Sequence, residues 1–164
     1  MSLLLAMFSF SLVMSISPGP VNMVILSSGA SYGVRKTFPF VSGASIGFTL
    51  LLLFIGLGFH KIIALYPDFL KYLSIAGSML IIYMGYLIAS SSSELNIEKQ
   101  NLPTFTQGFL LQWLNPKAWL ASVASVSLFS TPDSHQVFLT FSLIYFVVCY
   151  LSLFSWSVLG NKAT

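Results

Sequence analysis

Polar and charged positions fall in narrow bands along this chain, and between them run long, nearly continuous apolar tracts. Five tracts, residues 3–26, 38–59, 69–89, 105–129 and 137–159, have the length and apolarity of membrane-crossing helices. Their polar residues are mostly Ser, Thr, Gly and Tyr, so none reads as the amphipathic helix of a soluble domain. Barrel strands would alternate polar and apolar positions in short runs, which these tracts do not do. The pattern predicts an all-α integral membrane bundle of five spans.

Two of the five are interrupted. The first carries Ser17-Pro18-Gly19-Pro20-Val21-Asn22 inside a stretch that would cover roughly 36 Å as helix, enough to cross a hydrocarbon core. Neither proline can donate a backbone hydrogen bond, so the carbonyls of Met14 and Ile16 lose their helical partners, and Gly19 adds flexibility. In lipid such groups are costly unless protein or water meets them, which places the break beside a cavity or a neighbouring helix. The fourth tract repeats the device at Asn115-Pro116-Lys117. Ser and Asn are good N-caps and proline suits a first helical turn, so each break reads as the start of a fresh half-helix.

Three spans separate the two breaks, an odd number, so the same unit enters the membrane from opposite sides. That is the outline of an inverted repeat, whose paired broken helices bracket a midplane site. Residues 1–89 form the first repeat, and 90–107, opening with four serines and carrying Pro103, form a polar connecting loop. Residues 108–164 form an incomplete second repeat. A full repeat calls for a sixth span. The expectation is therefore a 3+3 inverted-repeat transporter fold lacking its sixth helix, a C-terminally truncated product.

Composition agrees. The chain is 56% hydrophobic and 7% charged, where a soluble domain carries about a quarter charged residues. The net charge of +3 is scattered and offers no cluster for nucleic acid. Cys149 is the sole cysteine, which excludes an internal disulfide or a cysteine metal site, and neither a metal nor a cofactor is expected. Met1-Ser2-Leu3 has no basic n-region, so the N-terminus reads as a span and not as a cleaved signal peptide. An outside N-terminus puts Arg35, Lys36, Lys99 and Lys162 in the cytoplasm, against Lys61 and Lys71 for the reverse, and favours the former. Small residues in Gly43-Ala44-Ser45-Ile46-Gly47 and at Gly77 and Gly85 suit close helix packing, within the bundle or across a homo-oligomer.

Ser17-Pro18-Gly19-Pro20 with Asn22, then Gly33 and Arg35, then Gly43 and Gly47, resemble the first-repeat pattern of the LysE/RhtB amino-acid exporters. Gly77, Leu80, Tyr83 and Gly85 fit that family's third span, and Gly108-Phe109-Leu110 with Asn115-Pro116-Lys117 its fourth. Within the family the chain looks closest to the cysteine and O-acetylserine exporters. The resemblance covers roughly residues 9 to 159. It implies efflux of small amino acids or their derivatives across the inner membrane, in exchange for protons; the alternative expectation is a truncated, non-transporting membrane protein or interaction subunit.

An amino acid brings a carboxylate and an ammonium into a low-dielectric region. Half-helix N-termini meet the carboxylate through unpaired N–H groups and the positive end of the dipole. After Pro18 the expected donor is Gly19; after Pro116 the expected donors are Lys117 and Ala118. Lys117 adds a full charge inside its span, with no acidic residue in any span to pair with it. Its expected partner is a carbonyl of the broken first helix, a substrate carboxylate or water; alternatively it snorkels to the surface. Asn22 either meets the substrate ammonium or bridges helices. Pro18, Gly19, Pro20, Asn22, Asn115, Pro116 and Lys117 form the candidate substrate site. His60 and His135 stand at span ends, where anchoring is the simpler reading and proton coupling the alternative. The chain has neither a His/Asp/Glu cluster nor a GxSxG motif, so an enzyme is not expected.

Overall fold

The computed structural model describes residues 2–59, 65–90, 102–131 and 135–163, and all of its long elements are helices. They are α1 (Ser2–Ile16), α2 (Pro20–Tyr32), α3 (Val34–Phe54), α4 (Phe69–Ala89), α5 (Phe105–Trp113), α6 (Pro116–Phe129) and α7 (Gln136–Lys162). Helix α3 runs on into a π-helical turn, Ile55–Phe59, that contains Gly58 at φ 119°. The expected sites at His60, Lys61 and Lys99 and most of the polar connecting loop lie outside the described residues.

Both expected breaks are present. Helix α1 meets α2 at 60°, and α2 starts on Pro20. Helix α6 starts on Pro116, with Asn115 as its N-cap. Among the described residues, two unbroken helical stretches are long and apolar enough to cross a membrane, Val34–Gly58 and Gln136–Lys162. The bent pair α1–α2 makes a third if it counts as one broken span. The expected third and fourth spans correspond to α4 and to the pair α5–α6.

The first connection differs from its sequence reading. The basic residues Arg35 and Lys36 suggest a loop over 27–37, yet α2 runs to Tyr32 and α3 begins at Val34. Gly33 alone joins them, at φ 83°, a left-handed angle that glycine reaches without steric cost. Its N–H bonds back to the Gly29 carbonyl at 3.0 Å, so α2 ends with a satisfied carbonyl. Further on, α5 begins with a capping box: Gln107 N–H donates to Thr104 Oγ1 and Thr104 N–H to Gln107 Oε1.

Glycine sets how closely the helices approach. A Cβ on Gly108 would stand 2.3 Å from the Phe40 carbonyl oxygen, and one on Gly43 would stand 2.0 Å from that of Phe105. Helices α3 and α5 thus touch backbone to backbone. Gly29 and Gly160 do the same for α2 and α7. Lipid supplies no hydrophobic drive between helices, so such contact is what holds them together. Gly43 and Gly47 therefore serve packing inside the chain. Gly85 has open space where its Cβ would be.

Helix α7 shows which side is which. Leu139, Leu143, Val147 and Leu151, spaced by one helical turn, are exposed as a lipid-facing side would be. Its inner side buries Phe141, Ser142, Tyr145, Cys149, Ser152 and Ser157. Ring contacts tie this side to other helices: Phe129–Phe141 at 4.5 Å, Phe48–Tyr145 at 4.5 Å and Phe10–Phe141 at 6.0 Å between centroids. The polar interior lies beyond these rings, between the two breaks.

Candidate functional site

A proline-broken helix leaves carbonyls without partners, and here side chains from other turns meet them. Ser17 Oγ donates to the Met14 carbonyl at 3.2 Å. Asn22 Nδ2 donates to the Ser15 carbonyl at 2.9 Å, so a residue of α2 closes the end of α1. Lys117 Nζ, from the first turn of α6, donates to the Ser17 carbonyl at 2.7 Å. That bond joins the two breaks directly. At the second break, the Trp119 indole donates to the Trp113 carbonyl at 2.6 Å, and the Trp113 indole reaches the Gly47 carbonyl at 3.0 Å. Both tryptophans thus brace the second break.

The two half-helix starts are unlike. Asn115 Oδ1 accepts from Lys117 N–H at 3.1 Å, and Ala118 N–H bonds the Asn115 carbonyl at 3.0 Å. The donors expected for a ligand at α6 are therefore already engaged, because a good N-cap consumes them. Helix α2 has no side-chain cap and no acidic residue in its first turn. Its start at Pro20 moves the available donors from Gly19 to the N–H groups of Val21 and Asn22. The positive end of the α2 dipole is the open one.

Between the breaks lies a cavity of about 30 Å³, room for water but not for an amino acid. Its polar lining comes from Ser15, Asn22, Gln112, Asn115, Lys117, Tyr145 and Cys149, and Val21, Phe48 and Leu153 close it off. Asn115 Nδ2 reaches Gln112 Oε1 at 3.4 Å. The Tyr145 hydroxyl and the Cys149 thiol come up beside Ser15, yet Ser15 Oγ completes no hydrogen-bonding geometry with any described residue. A buried hydroxyl in that state is a place for a polar guest.

Gly19 makes the arrangement possible. A Cβ there would stand 3.1 Å from Lys117 Nζ and 3.5 Å from Asn22 Oδ1, so an ammonium and a carbonyl oxygen face one small volume. Gly19, Asn22, Asn115 and Lys117 are thus brought together. Pro20 and Pro116 stand just outside, and Pro18 is exposed and contributes only the bend. The sequence reading missed Ser15, Gln112, Tyr145 and Cys149. Two pairings in helical register mark them: Gln112 lies three residues before Asn115, and Tyr145 lies four before Cys149.

Comparison with known proteins bears on this geometry. The pattern of LysE type translocators matches residues 12–161. This chain belongs to the LysE type translocator family. It is similar to the cysteine/O-acetylserine efflux protein of Escherichia coli (strain K12), at 31% identity over 137 residues, 83% of this chain and 70% of that one. The protein of the same description from Shigella sonnei (strain Ss046) matches to the same extent. No solved structure matches the chain. The matched region contains both breaks and every residue lining the cavity, from Met14 to Leu153.

Proposed function

We propose that this chain is an inner-membrane secondary exporter of small amino acids or their derivatives, of the cysteine and O-acetylserine kind. It works by alternating access around the two helix breaks. The observation that carries the reading is the Lys117–Ser17 bond, which sets a cation that lines the polar cavity on a carbonyl of the opposite break.

A substrate carboxylate takes the Lys117 ammonium from Ser17 and receives the uncapped N–H groups of Val21 and Asn22. The substrate ammonium goes to Asn22 Oδ1, whose amide nitrogen is already held by the Ser15 carbonyl. Ser15, Tyr145 and Cys149 are left for the side chain. The cavity must widen to admit this guest, as rocking of one repeat against the other would make it do. The helix arrangement supports an inverted repeat: α7 lies along both α1 and α2, and α3 lies along both α5 and α6. Five spans with the N-terminus outside fit that scheme and the excess of basic residues on one side. Exchange is with protons. Among the residues lining the cavity, Lys117 is the only Lys, Arg, His, Asp or Glu.

The test is export from cells overproducing the chain and loaded with O-acetylserine. Asn115→Leu removes the cap that aims Lys117, and should cut export per molecule at least about tenfold, the worth of one hydrogen bond of about 1.5 kcal/mol, with membrane insertion intact. Equal export per molecule would overturn the reading.

A further inference from the structure

The same two breaks border a second and larger space. On the far side of Lys117 from the small cavity, a volume of about 240 Å³ is lined by Pro20, Ser74, Ser78, Asn115, Pro116 and Lys117. It is eight times the volume of the cavity between the breaks. Asn115 and Lys117 line both spaces, so they form the wall between them.

We infer that this space is a substrate vestibule, and that Ser74 and Ser78 of α4 line the passage by which a small zwitterion reaches or leaves the site between the breaks. Ser74 and Ser78 lie one turn apart, on one side of a helix whose other exposed residues beyond its first turn, where Lys71 stands, are apolar or tyrosine. Polar side chains within membrane helices belong on water-lined or protein-lined faces. Ser78 Oγ donates to the Ser74 carbonyl at 2.8 Å, which leaves the hydroxyl oxygen's lone pairs toward the space for an ammonium. On the opposite wall Lys117 offers a cation for a carboxylate. The two walls thus present an acceptor and a cation to the two ends of an amino acid. Parting the Lys117–Ser17 bond removes the partition and joins vestibule to cavity.

This inference rests on the proposed exporter role, and its test reads water access separately from transport. Cysteine is placed at Ser78 (Ser78→Cys) and, as the lipid-facing control, at Met79 (Met79→Cys), which is 67% exposed on the same helix. Membranes are treated with a small, charged, thiol-reactive methanethiosulfonate, and labelling is counted above that of the parent chain, whose only cysteine is the buried Cys149. Ser78→Cys should label at least tenfold faster than Met79→Cys, and O-acetylserine should slow it. Ser74→Cys should behave like Ser78→Cys, which guards against one variant failing to fold. Labelling of both serine positions no faster than Met79→Cys would overturn the vestibule, whether or not export by the parent chain is intact. Fast labelling indifferent to substrate would overturn the passage, leaving only a water-filled crevice.

Discussion

Replacing Lys117 by methionine separates a transport role from a structural one. Lys117→Met keeps an unbranched apolar stem, one heavy atom shorter, but loses the bond from Nζ to the Ser17 carbonyl, 2.7 Å long. A hydrogen bond made by a charged group contributes about 1.5–3 kcal/mol. Against that, a lysine charge near mid-span costs about 2.5–3.5 kcal/mol on the mildest scale. The net change in stability therefore runs from about 0.5 kcal/mol lost to about 2 kcal/mol gained. Transport has no such compensation. Loss of a charge-assisted bond to the substrate carboxylate, again about 1.5–3 kcal/mol, lowers export roughly ten- to over a hundredfold. The assay pairs thermal unfolding of the purified chain in detergent with O-acetylserine export normalised to protein in the membrane. The expected pair is a melting temperature no more than about 2 °C below that of the parent, or above it, and export at or below a tenth. A variant that melts several degrees lower while each surviving molecule exports normally would refute the reasoning, since Lys117 would then be a structural tie and nothing more.

Other substitutions address the parts that hold the site in place. Gly108→Ala sets a Cβ 2.3 Å from the Phe40 carbonyl oxygen and should destabilise by about 1–3 kcal/mol, as overpacking does. Gly85→Ala, in open space, should leave stability equal or raise it by up to about 1 kcal/mol in the same melting assay. Asn22→Leu removes the donor to the Ser15 carbonyl. Bonds of this kind are worth about 0.6–1.7 kcal/mol in membrane proteins, so a modest fall in melting temperature should accompany a much larger rise in the half-saturating substrate concentration.

The breaks were legible because proline acts through simple chemistry: it removes a donor wherever it stands, and a carbonyl left over inside a membrane must be met. The lack of an acid in the spans leaves Lys117 a first-helix carbonyl, a substrate carboxylate, water or the surface, and of these the structure shows the Ser17 carbonyl. Less could be read where one residue has two effects. Asn115 reads as a cap, yet a cap consumes the Lys117 N–H that would otherwise await a ligand. Arg35 and Lys36 look like loop residues, but at the start of α3 they need only reach the surface, and Gly33 supplies the whole turn. The pairing of Gly108 with Phe40, and the gathering of Ser15, Gln112, Tyr145 and Cys149, are matters of spatial juxtaposition. Lone polar residues in apolar tracts carry no local sign of which neighbours they will meet.

Cys149 gives the most direct access to the central claim, because it is the only cysteine and it lines the cavity between the breaks. The measurement is the rate at which a small membrane-permeant maleimide labels the unmodified chain, with and without saturating O-acetylserine. If the substrate sits between the two breaks, it will slow labelling several-fold, and labelling will abolish export. Labelling at an unchanged rate under saturating substrate, in membranes that still export, would place the substrate elsewhere.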